Sequence, residues 1–132
     1  MKAELIAQAL QARTQAYAPY SGYHVGAALL TKGGKIYTGV NIENASYGAT
    51  NCAERTAFFK AVSEGEREFL AIAIAGGKKD TESEDYAYPC GICRQIMSEF
   101  CGPDFRVIVI KNRAEYEEYT LEELLPHSFG LE

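Results

Sequence analysis

The stretch "NCAERTAFFKAVSEGEREFLAIAIAG", residues 51–76, decides the fold. Its first half predicts a helix over 52–63 that stops near Gly65. Asn51 and Glu54 have the spacing of an N-cap residue and its capping-box partner. The second half, "FLAIAIAG", is a short apolar run typical of a buried strand over 69–76. A helix followed directly by a buried strand indicates an α/β protein.

The flanking segments continue this alternation of helices and strands. Apolar residues at helical spacing predict a helix over 2–17, and Gly33-Gly34 is a hairpin signal. "TLEELL" predicts a last helix, with Thr120 and Glu123 as its capping box. The remaining predictions are strands over 24–31, 35–40, 105–111 and 115–119 and a helix over 89–101. This order predicts a three-layer α/β/α sandwich with a mixed sheet of about five strands.

Length and charge exclude several classes of protein. The 132 residues fit a single domain, 1–132, with a hydrophobic core. A net charge of −5 argues against a nucleic-acid partner, because such proteins neutralise phosphates with a basic face. No run approaches the roughly 20 apolar residues that a membrane span needs, and no signal-peptide pattern opens the chain. We therefore expect a cytoplasmic protein.

Two of the four cysteines have a spacing that permits two chemistries. In "PCGICRQ", Cys90 and Cys93 lie three residues apart, so a helix would present both thiols on one face. Such a pair after a strand serves either as a thioredoxin-like redox dithiol or as part of a metal site. The C-x-x-C spacing alone favours neither reading.

Cys52 shifts the balance towards a metal. It opens the preceding helix, and consecutive parallel strand–helix units bring their helix N-termini together at one edge of the sheet. Three thiols would then converge where helix dipoles favour the thiolate form. Three thiolates around a zinc ion leave one tetrahedral position open, as in catalytic sites, and Glu54 is close enough to reach a water molecule there.

Cys101 is the candidate fourth ligand of a closed, structural site. It lies eight residues beyond Cys93. That separation is about 12 Å along a helix axis, so an unbroken helix could not bring both thiols to one ion. We therefore expect Cys101 to be a core thiol.

"CAE" followed by "PCGICRQ" resembles the zinc-binding signature of the cytidine and deoxycytidylate deaminases. "YAPYSGYHVGAAL", "GVNIENASYG" and "EELLP" extend the resemblance to the small homotetrameric cytidine deaminases over nearly the whole chain. The loop at 76–88 departs from the family pattern because it is longer and more acidic.

The resemblance implies one zinc ion per subunit, held by Cys52, Cys90 and Cys93, with Glu54 as the proton shuttle. In this chemistry a zinc-bound hydroxide attacks C4 of the cytosine ring, and one carboxyl serves first as base and then as acid. The expected reaction converts cytidine and 2'-deoxycytidine to uridine and 2'-deoxyuridine with release of ammonia, a step of pyrimidine salvage.

The negative charge of such a centre needs compensation. Three thiolates and a hydroxide outweigh the charge of Zn²⁺, and the two helix N-termini offset part of the excess. The resemblance assigns Arg55 to hydrogen bonds with the ligand sulfurs, a contact that tunes a metal. Arg94 is a second candidate for this role.

The resemblance also implies substrate contacts. Asn41 and Glu43 match residues that bind ribose hydroxyls, and Tyr23 matches an aromatic residue of the base pocket. Tyr47 and Phe129 match residues that reach neighbouring subunits, so that a homotetramer completes each active site. The implied substrate-binding set is Tyr23, Asn41, Glu43, Tyr47, Ala53 and Phe129. His24 and His127 lack ligand spacing and are interpreted as structural or solvated.

The same residues are compatible with other functions. A blasticidin S deaminase, or another aminonucleoside deaminase, shares the metal motif and the fold. A polynucleotide deaminase is disfavoured by the acidic charge, and a phosphorylated substrate by the carboxylate of Glu43. The non-enzymatic alternative is a zinc-stabilised interaction protein in which Glu54 only caps a helix.

Overall fold

The computed structural model describes residues 1–78 and 86–131. The strands are β1 (Tyr23–Thr31), β2 (Ile36–Val40), β3 (Phe69–Lys78), β4 (Arg106–Ile110) and β5 (Tyr116–Thr120). The helices are α1 (Lys2–Arg13), α2 (Ala53–Ser63), α3 (Gly91–Phe100) and α4 (Leu121–Leu124), with a short 3-10 helix at Tyr47–Ala49.

The described strands form one mixed sheet in the order β2-β1-β3-β4-β5. β1 runs antiparallel to both β2 and β3, β3 and β4 are parallel, and β4 and β5 are antiparallel. The parallel pair is joined through α3, as a crossover between parallel strands requires. The predicted mixed sheet of about five strands is confirmed.

The sheet separates two hydrophobic cores because successive strand residues point to opposite faces. In β3, Ile72 and Ile74 belong to the core that contains α2 and α3 residues, whereas Ala73 and Ala75 belong to the core under α1. Helices therefore cover both faces of the sheet, which confirms the predicted three-layer arrangement.

Phe58 of α2 connects the elements on the site-bearing face. Its buried ring lies 5.1 Å from that of Phe69, 6.1 Å from that of Phe100 and 6.0 Å from that of Phe105. Truncation of a buried ring of this size costs about 3–5 kcal/mol. Because Phe100 belongs to α3, this cluster also fixes α2 against α3.

Gly39 of β2 allows α2 to approach the sheet closely. A Cβ atom at this position would lie 2.4 Å from the Ala53 carbonyl oxygen and 2.4 Å from the Ala57 nitrogen. Both neighbours are backbone atoms, so no side-chain rotation could relieve the clash. The absence of a side chain at Gly39 therefore determines where the first turn of α2 sits.

Two sequence predictions were wrong at helix ends. α1 ends at Arg13 rather than at residue 17, because Tyr17 leaves the helix and pairs with Ile42. Asn51 is not the N-cap of α2, since it forms a bridge with Ile42 and its side-chain amide donates to Thr56.

The residue at the N-cap of α2 is instead Cys52, with extended backbone and no side-chain capping bond. Glu54 is thus not a capping-box partner.

At the end of the chain, the predicted capping box of Thr120 and Glu123 is confirmed. Of the acidic loop, residues 79–85 lie outside the described residues. In the described ranges no helix is long and apolar enough to cross a membrane.

Candidate active site and metal centre

Three thiols converge where α2 and α3 begin. The sulfur atoms of Cys52, Cys90 and Cys93 all lie within 4.8 Å of one another. Cys52 and Cys90 are the N-cap residues of their helices, and Cys93 lies in the first turn of α3. The convergence predicted from the strand–helix units is therefore present, and three sulfur donors at this separation suit a tetrahedral zinc ion.

Two of these sulfurs, those of Cys52 and Cys90, accept hydrogen bonds from N–H groups. The Arg55 guanidinium donates from Nη2 to the Cys52 sulfur at 3.1 Å, and the Cys93 backbone N–H donates to the Cys90 sulfur at 3.5 Å. A hydrogen bond from the Cys93 thiol, assisted by Arg55, lowers the pKa of Cys52 to about 5. The contact with the sulfur predicted for Arg55 is present, and both helix N-termini face the thiols.

Glu54 lies beside the thiols and is 5% exposed. Burial raises the pKa of its carboxyl to about 7, and the negative charge on Cys52 adds to the shift. A buried carboxyl with a perturbed pKa beside convergent thiols is typical of a functional group. The position of Glu54, two residues after the N-cap Cys52, also differs from that of a capping-box glutamate, which lies three residues after the N-cap.

Arg94 occupies a different place from the one predicted. Its Nε donates to the Pro89 carbonyl at 2.8 Å and its Nη1 donates to the Leu124 carbonyl at 2.7 Å. These bonds connect the residue before Cys90 to the end of α4. Arg94 therefore connects the segment that precedes α3 to the end of α4, and neither of these hydrogen bonds goes to a cysteine sulfur.

The segment that carries Asn41 and Glu43 is attached to the start of α2. Ile42 and Asn51 exchange two backbone hydrogen bonds of 2.9 Å, which places this segment directly before Cys52. The Asn41 side chain accepts from the Val25 N–H at 2.9 Å and donates to the Tyr23 carbonyl at 2.8 Å. It is thereby fixed against β1.

Glu43 is held by the turn that precedes β1. Its Oε1 accepts the backbone N–H groups of Tyr20 at 2.9 Å and Ser21 at 3.1 Å, and its Oε2 accepts the Ser21 hydroxyl. The Ser21 hydrogen bonds lower the pKa of Glu43. The carboxylate therefore stays charged at neutral pH.

A cavity of about 430 Å³ connects these groups. Cys52, Ala53, Glu54 and Cys90 line one side of it, and Asn41 and Glu43 line another. Tyr23 is also part of the wall, where its ring packs over Gly76; a Cβ at Gly76 would lie 2.9 Å from it. The structure brings together, around one cavity, the predicted residues Tyr23, Asn41, Glu43, Cys52, Ala53, Glu54 and Cys90.

Two predicted substrate residues do not line this cavity. Tyr47 is 88% exposed and lines a neighbouring hollow with Glu43, while Phe129 is 70% exposed near the end of the chain. Sequence reasoning also missed residues of the wall, chiefly Tyr86, Ala87 and Tyr88. Their sequence signal was their position immediately before the cysteine pair of "PCGICRQ".

Comparisons with known proteins agree with this geometry. The family described as "Cytidine and deoxycytidylate deaminase zinc-binding region" matches residues 1–110. A cytidine deaminase from Halalkalibacterium halodurans is 52% identical over 128 residues, which are 97% of this chain and 93% of that protein.

A solved structure of a cytidine deaminase from Burkholderia pseudomallei superposes with a TM-score of 0.88 at 45% identity, covering 98% of this chain and 99% of that one. A blasticidin-S deaminase from Bacillus cereus is 36% identical over 126 residues, 93% of this chain and 88% of that protein.

The chain therefore belongs to the cytidine and deoxycytidylate deaminase family. The matched zinc-binding region contains Cys52, Cys90 and Cys93, whose sulfurs form the cluster described above. Zinc is accordingly the cofactor of this centre.

Proposed function

We propose that the chain hydrolyses cytidine and 2'-deoxycytidine to uridine and 2'-deoxyuridine, with release of ammonia. The observation that carries this proposal is a buried glutamate, Glu54, beside three convergent thiols, two of which line the same cavity as Glu54. Cys52, Cys90 and Cys93 would hold the zinc. When bound, zinc supplies the Lewis-acid activation of a water molecule for attack on C4 of the ring.

Glu54 is the group that moves protons in this proposal. It takes a proton from the attacking water and delivers it to N3 of the ring; it then takes the proton of the new C4 hydroxyl and delivers it to the departing amine. A carboxyl with a pKa of about 7 can both accept and release a proton near neutral pH. Its burial excludes bulk water, which strengthens each hydrogen bond that it makes to the ring.

Asn41 and Glu43 retain the hydrogen-bonding capacity to bind a sugar. The Asn41 amide uses one donor and one acceptor on β1, so one N–H and one lone pair remain for the cavity. Glu43 accepts three hydrogen bonds, and a carboxylate has about four acceptor positions. A ribose hydroxyl that donates to Glu43 would complete the set.

The same carboxylate favours a nucleoside over a nucleotide. Glu43 stays ionised because the Ser21 hydrogen bonds lower its pKa, and it lines the cavity. A 5'-phosphate in this cavity would be repelled by that charge. We expect deoxycytidine monophosphate to be a far poorer substrate than deoxycytidine.

Tyr47 and Phe129 support the proposal of a homotetramer with shared active sites. Both are large apolar side chains, exposed at 88% and 70%, and a neighbouring subunit would give each ring a binding partner. Light scattering of the purified protein tests the tetramer. A mixed tetramer of Glu54→Gln and Phe129→Ala subunits should regain activity. In such a tetramer, the active site of a Phe129→Ala subunit keeps its own Glu54 and receives the Phe129 ring from a neighbouring subunit.

The reaction is tested by ammonia release from cytidine, deoxycytidine, deoxycytidine monophosphate and blasticidin S in parallel. We expect turnover of the two nucleosides. Preferential turnover of blasticidin S would assign the chain to the second candidate, which the similarity to the Bacillus cereus protein supports. No turnover of any substrate by zinc-loaded protein would overturn the proposal.

A further inference from the structure

Two tyrosines and a glutamate form a hydrogen-bonded cluster beside the cavity. The Tyr88 and Tyr119 hydroxyls both donate to Oε1 of Glu117, the latter at 2.8 Å. The hydrogen bond from Tyr88 contributes most to lowering the pKa of Glu117, and the hydrogen bond from Tyr119 adds to it. The carboxylate is therefore ionised at neutral pH, and both contacts are charge-assisted hydrogen bonds, which are stronger than neutral ones.

The cluster connects the edge of the sheet to the wall of the cavity. Glu117 pairs with Val109 near the carboxyl end of β4, the sheet edge at which α3 begins. Tyr88 lines the cavity and directly precedes Pro89 and Cys90, whereas Glu117 and Tyr119 do not line it. Glu117 therefore reaches the cavity through Tyr88, the one member of this three-residue cluster that lines it.

The Tyr88 side chain needs such a partner. It is 48% exposed, and a tyrosine exposed to this extent would otherwise sample several rotamers. The ring of Tyr119 contacts it edge-on, with centroids 6.1 Å apart, and the centroid of the Tyr86 ring lies 6.3 Å from that of Tyr88. Together with the hydroxyl contact to Glu117, these rings restrict Tyr88 to one orientation along the wall.

We propose that Glu117 is a positioning residue of the active site, which acts through Tyr88 to hold the wall at 86–88 in its binding conformation before substrate enters. The inference rests on the proposed function in that the substrate is a pyrimidine nucleoside. A wall that is ordered in advance loses less conformational entropy on binding. The predicted consequence is tighter nucleoside binding with an unchanged chemical step.

Three variants separate the contacts. Glu117→Ala removes the shared acceptor, and Tyr88→Phe removes one hydroxyl while keeping the ring. Each should raise the KM for cytidine about 3- to 10-fold, the effect of freeing one side chain, with kcat within about twofold of wild type. Glu117→Gln keeps an acceptor oxygen of the same shape, so it should restore most of the wild-type KM.

Tyr116→Phe is the matched control. Tyr116 is the preceding residue of β5 and points to the opposite face, where the Lys2 ammonium lies 5.3 Å from its ring centroid. Its loss of a hydroxyl should leave KM unchanged. Near-ultraviolet circular dichroism reports the contact itself without turnover, since the chain has nine tyrosines and no tryptophan. The tyrosine band should change in Glu117→Ala, a variant that keeps all nine tyrosines.

Uridine binding, measured by calorimetry on the zinc-loaded protein, separates the two proposals. If wild type binds uridine but does not deaminate cytidine, and Glu117→Ala weakens uridine binding about 3- to 10-fold, the positioning role stands and the proposed reaction falls. If the dichroism changes while KM and uridine affinity stay within about twofold of wild type, the cluster is only structural and the inference is wrong. A wild-type protein that neither deaminates cytidine nor binds uridine overturns both.

Discussion

The two helix starts that meet at the metal centre are built differently. At the start of α2, Cys52 is half-buried with Arg55 on its sulfur, and Glu54 is buried beside it. At the start of α3, Cys90 is exposed and its sulfur accepts the backbone N–H of Cys93. The α2 start therefore combines a ligand with the proposed proton-transfer group, whereas the α3 start contributes ligands alone.

The two starts are also anchored differently. α2 lies against the backbone of β2 at Gly39, so its position is determined by close packing. The start of α3 is braced by Arg94 through carbonyls of Pro89 and Leu124. Packing should make the α2 start intolerant of small changes in volume, while hydrogen bonding should make the α3 start sensitive to loss of a donor.

The largest expected effect is that of Glu54→Gln, which removes the proton carrier from the α2 start and preserves the shape. Because general acid–base catalysis contributes roughly 100- to 10,000-fold, turnover of cytidine should fall by that factor while zinc content is retained. Initial rates of ammonia release measure it. Glu64→Gln at the other end of α2 is the control, and a Glu54→Gln enzyme as fast as this control would contradict the role of Glu54.

The arginines offer a direct contrast between the two starts. Arg55→Gln removes a donor to the Cys52 sulfur and should weaken zinc affinity about 10- to 100-fold. Arg94→Gln should leave zinc affinity within about threefold of wild type. It should nevertheless lower the free energy of unfolding by about 1–3 kcal/mol, because two partly buried carbonyls lose their donor.

Competition with a chromophoric chelator measures the affinities, and urea denaturation measures the stabilities. Equal zinc affinities in the two variants would remove the distinction between the helix starts.

Gly39→Ala tests the packing of the α2 start. The added Cβ would clash with backbone of α2, and overpacking of this kind costs about 1–3 kcal/mol. Gly33→Ala is the matched control, since its nearest neighbour is the Thr31 hydroxyl at 3.9 Å, and stability there should change by less than about 1 kcal/mol. The urea midpoints of the two zinc-loaded variants measure this difference in stability. Indistinguishable midpoints would show that α2 can move away from the sheet at little cost in free energy.

The smallest expected effect concerns Cys101. Its rate of alkylation tests whether this residue is excluded from the metal centre. Burial raises the pKa of its thiol to about 12, so the reactive thiolate is scarce at pH 8. After chelation of zinc, alkylation by iodoacetamide should label Cys52 and Cys90 quickly, and the buried thiol of Cys93 and the partly buried thiol of Cys101 at least about tenfold more slowly. Cys101→Ser should remove one slowly labelled thiol and leave both fast ones. Loss of a fast phase in this variant would place Cys101 among the ligands.

Local and non-local features differ in how well the sequence predicted them. The metal ligands were predictable because Cys90 and Cys93 share a helix face and Cys52 opens the preceding strand–helix unit. The N-cap of α2 was mispredicted because Asn51 pairs with Ile42, a tertiary contact that no local signal reveals. The capping box at Thr120 involves neighbours in sequence only, and its prediction succeeded.

The cavity wall and the arginine brace were beyond sequence reasoning for the same physical reason. Tyr88 and Glu117 are 29 residues apart, and Arg94 and Leu124 are 30 apart. Each contact exists only because the sheet brings β5 and the end of α4 beside the start of α3. The burial of Glu54 likewise depends on packing, so its spacing alone was compatible with a helix cap.

The central claim is an open zinc centre with three thiolate ligands, and X-ray absorption at the zinc edge of the purified protein tests it most directly. We predict three sulfur scatterers at about 2.3 Å and one oxygen at about 2.0 Å, the open position occupied by water. A shell of four sulfurs at about 2.3 Å would mean a closed structural site and would contradict the account.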